Sequence, residues 1–329
     1  MMNIQNIFFF WGGDISESRL KILQDCVYST RVFNPTRPIY LVSNSIKEEM
    51  LDPKFGIEIY RWDDTLFDDL PMSKEHIQKY YLHAHPRELS DLIRLVLLYK
   101  FGGSYIDTDD LAIKELAPTT IKNIVCRSYD PHTCHYNNLT PEDCIDGIHR
   151  EIRGYDHIQM FPRNDCWVNF EPNSLFIHDI LSNEKIANTD KAIYIGDDFS
   201  WQSLTLETCK KHIKSIGETY NLALTLMYVY EDFVSASSYW DRCMHGGEMC
   251  DLWNEMEGVK DMEWGFYKCS KSIALDYLEK VRTLYPYVSH LWLHSKDMNQ
   301  DWLLPELTED EYQVSTWIYQ NVKEKINEY

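Results

Sequence analysis

Gly102-Gly103 joins an apolar helical segment to a short strand that leads directly into two acids, and no other junction in the chain limits the fold so tightly. Residues 90–109 read Ser-Asp-Leu-Ile-Arg-Leu-Val-Leu-Leu-Tyr-Lys-Phe-Gly-Gly-Ser-Tyr-Ile-Asp-Thr-Asp. The spacing predicts an amphipathic helix over 88–101. Asp91 and Arg94, three apart, share one face, while Leu92, Leu95, Val96 and Leu98 cover the other. Glycine ends the helix and allows a tight reversal, because it reaches backbone conformations that a Cβ disfavours. The strand that follows is expected to end on Asp107 and Asp109, whose i,i+2 spacing would point both carboxylates to one side.

Upstream, strand and helix patterns alternate. Residues 6–11 read as a buried strand closed by Gly12-Gly13, 18–30 as a helix, 39–43 as a second strand and 57–62 as a third. This order argues for an α/β fold with a mostly parallel central sheet flanked by helices, its ligand at the carboxyl ends of the strands. Residues 119–165, rich in Asp, Asn, His and Pro, read as a long irregular surface excursion near the site. A strand over 166–173, helices over 175–181 and 203–212, and a predominantly helical C-terminal part are expected after it. With no internal repeat or linker, one domain over 1–329 is expected.

Charge restricts the partners. The chain has 329 residues, with 32 Lys and Arg against 52 Asp and Glu and a net charge of −20. No local basic patch interrupts this acidity, so nucleic acid and anionic membrane surfaces are not expected partners. A phosphorylated ligand remains accessible to an acidic chain if a divalent cation bridges the two. The longest apolar runs, 7–11, 95–99 and 222–230, fall short of the ~20 residues of a bilayer helix. The start Met1-Met2-Asn3-Ile4-Gln5 lacks signal-peptide character, and nine irregularly spaced cysteines fit reduced thiols. A cytoplasmic location without a membrane span is expected.

Asp107 and Asp109 offer hard oxygen ligands of the kind that suit Mn²⁺ or Mg²⁺, ions that usually also hold a substrate diphosphate. Asp110 leaves an Asp107/Asp110 pair open, and a solvated strand end or turn is the plainer alternative. For Asp91 and Arg94 the plain reading is an exposed ion pair worth a few tenths of a kcal/mol. The functional one has Asp91 accept hydrogen bonds from sugar hydroxyls while Arg94 offsets phosphate or carboxylate charge.

Taken together, Ser90-Asp91-x-x-Arg94, Tyr99, Gly102-Gly103, Tyr105 and Asp107-x-Asp109 resemble the sugar-binding region of DXD-containing glycosyltransferases. That group includes glycosyltransferase family 32, the alpha-1,4-glycosyltransferases and the glucosylating clostridial toxins. Phe8-Phe9-Phe10-Trp11-Gly12-Gly13 is similar to their first strand. The resemblance implies a GT-A-type nucleotide-diphospho-sugar transferase fold, a Mn²⁺ or Mg²⁺ ion and retaining transfer of a hexose to a hydroxyl acceptor, glycan or protein. It implies a nucleotide-sugar donor, UDP-hexose favoured over a GDP-sugar. Residues 1–118 would form the nucleotide-sugar half and 119–329 the acceptor side.

By the same resemblance Trp11 would stack on the base, Asp107 would touch ribose, sugar or metal, and Asp109 would ligate the metal. Asp91 and Arg94 would hold the donor sugar. The segment 167–170 with 173–181 is similar to one where these enzymes carry an Asn beside the acceptor. Asp197 or Asp198, with Asp198 favoured, would border the reaction centre, although Gly196-Asp197-Asp198 stands where relatives often have Gly-Pro; an acidic helix cap is the alternative. In 289–295, His290 is preferred to His294 as the third metal ligand. Alternative activities for the same carboxylates are nucleotide-sugar hydrolysis, phosphotransfer, or binding without catalysis. His83 and His85 read as cleft rim, and the scattered Cys/His groups lack the short Cys pairing of structural zinc. P-loop and nucleophile-elbow motifs are absent from the sequence.

Overall fold

Four consecutive apolar residues, Ile7–Phe10, form strand β1, and all four are buried. An uninterrupted apolar strand of this kind must be covered on both faces. A computed structural model describes residues 4–120, 122–127, 162–187, 268–269, 288–290 and 312–329. After β1, helix α1 (Glu17–Phe33) starts at Ser16, whose hydroxyl accepts the Arg19 N–H. Strands β2 (Ile39–Val42) and β3 (Glu58–Tyr60) follow, then helix α2 (Lys74–Tyr80). Helix α3 (Pro86–Phe101) begins two residues before its expected start, because His85 and Glu88 form a capping box and Pro86 occupies the first turn.

Strands β4 (Gly103–Ile106), β5 (Asp110–Ala112), β6 (Ile124–Arg127) and β7 (Pro162–Phe170) come next. Helices α4 (Leu175–Leu181) and α5 (Glu184–Ala187) follow them. The remaining described elements are β8 (Lys268–Cys269), β9 (Val288–His290), β10 (Tyr312–Gln313) and helix α6 (Val314–Glu328). The main sheet has the order β3-β2-β1-β4-β7-β6, with β3, β2, β1 and β4 parallel and β7 antiparallel to both its neighbours. The expected α/β architecture with a mostly parallel sheet and flanking helices is what the structure has; of the expected helical C-terminal part, α6 is present and most of the rest lies outside the described residues.

Two expectations change here. Residues 119–165 are not wholly irregular: β6 lies within them, and β7 starts at Pro162 rather than near Cys166. Nor is α3 amphipathic in place. Leu89 and every residue from Asp91 to Leu98 are buried, since the helix packs against the sheet and also against α4. Its core partners include Phe8, Phe10, Tyr105, Trp167 and Phe176. A helix covered all round puts its charged residues inside, where each needs a partner.

Beside the main sheet, β5 pairs antiparallel with β9, and β10 with β8. Helix α6 packs on α1 and β5. Among the described residues no helix is long and apolar enough to cross a membrane. The expected helix over 203–212 lies outside the described residues.

Candidate donor site at the carboxyl edge of the sheet

Parallel pairing of β1 with β4 sets Ile7 beside Ser104 and Phe8 beside Tyr105. Trp11 and Asp107, which follow these strands, therefore emerge along one edge. Trp11 is half-buried, its backbone N–H bonded to Val42 O and its indole N–H donated to Gly13 O at 3.1 Å. The start of α3 reaches the same edge, with Pro86 close against Gly12 and Gly13. After α3 the chain reverses at Gly102 (φ +65°) and Gly103 (φ +102°). A Cβ at Gly102 would lie 2.8 Å from Phe170 O, and one at Gly103 2.6 Å from Asn6 O. Only glycine fits both the backbone angles and the space.

The reversal brings Arg94 to Asp107. Arg94 Nη2 lies 3.0 Å from Asp91 Oδ1 and 3.2 Å from Asp107 Oδ1. The side chains of Asp91 and Arg94 are 1% and 4% exposed, that of Asp107 21%. The pair is thus no surface ion pair but the inner end of a cluster that opens to solvent at Asp107. Tyr105 forms its floor: the Arg94 guanidinium sits 5.0 Å from the Tyr105 ring centre, and Ser90 Oγ lies 3.2 Å from the Tyr105 hydroxyl.

Burial sets the electrostatics. It pushes the Asp91 carboxyl up to about 7; Arg94 opposes the shift, and Asp107 and Glu88 add to it. The Tyr105 phenol is driven well above its ordinary value by burial, with the Asp107 charge and an Asp107 hydrogen bond adding. Tyr105 is therefore a neutral donor throughout the physiological range. Sequence reasoning had Ser90 and Tyr105 in the motif without a role; the signal was their spacing, since Ser90 and Arg94 are one helical turn apart and Tyr105 and Asp107 two strand residues apart.

Asp107-Thr108-Asp109 is not a strand end. Asp110 N–H donates to Asp107 O at 3.1 Å, making the four residues a tight turn between β4 and β5. The relative placement of Asp107 and Asp109 is set by the turn rather than by strand pleat. Asp109 is half-buried, and Asp110 is buried at the start of β5, directly opposite His290 of β9. Antiparallel pairing thereby brings residues 180 apart in the sequence to one place. One guanidinium faces Asp91 and Asp107, while Asp109 and Asp110 add further acidic groups nearby. A partly exposed set of hard oxygens with that charge excess fits a divalent cation such as Mn²⁺ or Mg²⁺. Among the described residues no three His, Cys, Asp or Glu side chains form a ready-made cation cluster.

Asn169 does not border this site. It lies near the beginning of β4, at the opposite sheet edge, where its Nδ2 donates to Ala117 O and Pro118 O and its Oδ1 accepts from Arg37. Its φ of +57° interrupts the β4–β7 register, which explains why a buried polar residue stands in an apolar strand. Asp197, Asp198 and His294 lie outside the described residues.

Residues 22–128 match the family model described as "Glycosyltransferase sugar-binding region containing DXD motif". No curated protein sequence matches the chain. Similar solved structures include the PaToxG glycosyltransferase, 16% identical, with 65% of this chain and 71% of that one covered and a TM-score of 0.42. The galactosyltransferase LgtC in complex with donor and acceptor sugar analogues is 12% identical, with 98% and 95% covered and a TM-score of 0.38. The bifunctional glycosyltransferase WbbM is 10% identical, with 99% and 50% covered and a TM-score of 0.44. The family match covers residues 22–128 of the 329-residue chain.

Proposed function

We propose, for a chain whose residues 22–128 belong to the sugar-binding region of the DXD-containing glycosyltransferases, a retaining, metal-dependent transfer of a hexose from a nucleotide-diphosphate sugar to a hydroxyl acceptor. The observation that carries this reading is the bridge from Asp91 through Arg94 to Asp107, buried at one end and open at the carboxyl edge of the sheet. UDP-hexose is the favoured donor, and a glycan or protein hydroxyl the acceptor.

Each residue has a task that its surroundings support. Trp11 offers a ring face for the base at the end of β1. Asp91, buried and oriented by Arg94, accepts hydrogen bonds from donor-sugar hydroxyls. Arg94 donates from a fixed planar fork, already aligned by two carboxylates and the Tyr105 ring, so little ordering is left to complete when the donor arrives. Asp107 and Asp109, with His290 as the third candidate, would hold the divalent cation. Such an ion, when bound, offsets the negative charge that grows on the leaving diphosphate. The acceptor oxygen attacks the anomeric carbon from the side the diphosphate leaves, and a diphosphate oxygen takes the hydroxyl proton. No carboxylate nucleophile is required, and Asp198 remains a proposed border of the reaction centre.

The test is a screen of labelled UDP- and GDP-sugars with Mn²⁺ and with chelator, analysed by product. Sugar attached to an added acceptor, in the metal-containing samples only, is the expected outcome. Free sugar alone would identify a hydrolase, phosphosugar a phosphotransferase, and donor binding without turnover a non-catalytic module.

A further inference from the structure

The Asp107–Asp110 turn hangs between two separately rooted strands. Its entry, β4, is built into the main sheet between β1 and β7. Its exit, β5, has its ladder with β9, packs on α1 and α6, and is hydrogen-bonded to α1: Ser29 Oγ accepts the Ala112 N–H at 2.9 Å. A few residues on, Asn34 Oδ1 accepts the Leu116 N–H at 3.0 Å, while Asn34 Nδ2 donates back to Thr30 O. The position of Asp109 relative to Asp107 therefore depends on where α1 lies relative to the sheet.

One turn before Ser29, the same helix carries a buried carboxylate, Asp25. It is gripped from α6 twice, by the Tyr319 hydroxyl, which donates to it, and by the Lys323 ammonium. These groups lie in a different part of the chain from the donor site, and the donor reading gives them no task. A buried carboxylate held by two donors on a distant segment fixes one helix against another with a geometry that apolar packing alone leaves looser.

We propose, on the glycosyltransferase reading above, that Tyr319 and Lys323 are positioning residues for the cation-binding turn, acting through Asp25 and Ser29 of α1 on β5. The C-terminal helix thereby sets the spacing of Asp107 and Asp109, and cation affinity depends on it. Metal ligands must be held within about 0.5 Å of their working positions, so a small slide of α1 is enough to weaken binding.

The variants are Asp25→Asn/Lys323→Met, which removes the ion pair without leaving a lone buried charge, and Ser29→Ala, which breaks the path at β5. Mn²⁺ binding is read by the paramagnetic resonance signal of the free ion, beside thermal midpoints in chelator and donor turnover across Mn²⁺ concentrations. Each variant is expected to bind Mn²⁺ about 10-fold more weakly and to recover turnover at saturating Mn²⁺. Their combination should cost little more than either alone, because both interrupt one path. Glu324→Ala, at an exposed position of α6, should leave the affinity unchanged. Wild-type Mn²⁺ affinity in folded Ser29→Ala overturns the proposal even if the double variant does not fold. A wild-type chain that binds no Mn²⁺ overturns the metal reading itself, and the positioning role with it.

Discussion

Arg37 and Arg94 are both buried, both beside β4, and at opposite edges of one sheet, yet their surroundings differ in kind. Among the described residues Arg37 donates to neutral acceptors: Gln5 O, Ile4 O, Ser104 Oγ and Asn169 Oδ1, all within 2.9 to 3.3 Å. Burial pulls its guanidinium down to about 10, and the hydrogen bonds fasten the amino ends of β1 and β4 to the carboxyl end of the antiparallel β7. Arg94 instead faces two carboxylates, one of them partly open to solvent. A charge surrounded by satisfied dipoles has no reason to move and serves as a peg. A charge shared between carboxylates at an open edge can exchange a partner for a ligand.

Substitutions sharpen or break this contrast. The largest effect is expected at the open edge. Asp109→Asn should reduce transfer by on the order of 10²–10³-fold with little change in thermal midpoint, because the residue is half-exposed in a turn. Metal-dependent product formation and a melting curve check it, and full activity would remove Asp109 from the site. At the other edge, Arg37→Met strands several buried acceptors and should cost about 3 kcal/mol by denaturant titration. The molecules that remain folded should keep their turnover number; a loss of turnover would mean that the peg also serves the site.

Arg94→Lys comes next, since it keeps the charge but loses the fork. The donor KM should rise about 10-fold while stability changes less than for Arg37→Met. Smallest is a change of pH slope. Because burial raises Asp91 to about 7, the folded chain holds a proton that the unfolded chain has released. The stabilisation from that proton is complete below the ordinary aspartate range and is lost as pH rises through about 7. Asp91→Asn lacks this slope, so between about pH 6 and pH 7 the wild type should lose about 1 kcal/mol relative to the variant in chelator. Parallel denaturation curves at both pH values would show that Asp91 is already ionised.

Much of the region up to residue 118 was legible locally. The apolar run 7–10, the helix ending at Gly102, and the spacing of Asp91, Arg94 and Asp107 are all short-range patterns, and short-range patterns survive in a sequence. The turn at Asp107–Asp110 was misread as a strand because alternation and a four-residue turn both place i and i+2 close together. The amphipathic reading of α3 failed because periodicity reports one apolar face and cannot show that Tyr105 and Asp107, from after the reversal, meet Arg94 on the polar side as well. Within the segment 167–181 that resembles an acceptor-side one, Asn169 has a left-handed backbone and bonds to Arg37, Ala117 and Pro118 that make it a fastening, which only the fold reveals.

By itself the sequence determined that the chain alternates strands with helices, that a glycine pair ends the helix at 102 and 103, and that acids and one arginine lie close along the chain to that reversal. Tertiary structure alone decided that Asp91 and Arg94 are buried, that Arg94 bridges to Asp107, that β5 runs beside β9, and that α6 grips Asp25 across nearly the whole chain. The physical reason is range. Backbone conformation and side-chain period are set by neighbours a few residues away, whereas burial, and with it the strength of every charge interaction, is set by whatever the rest of the chain lays on top.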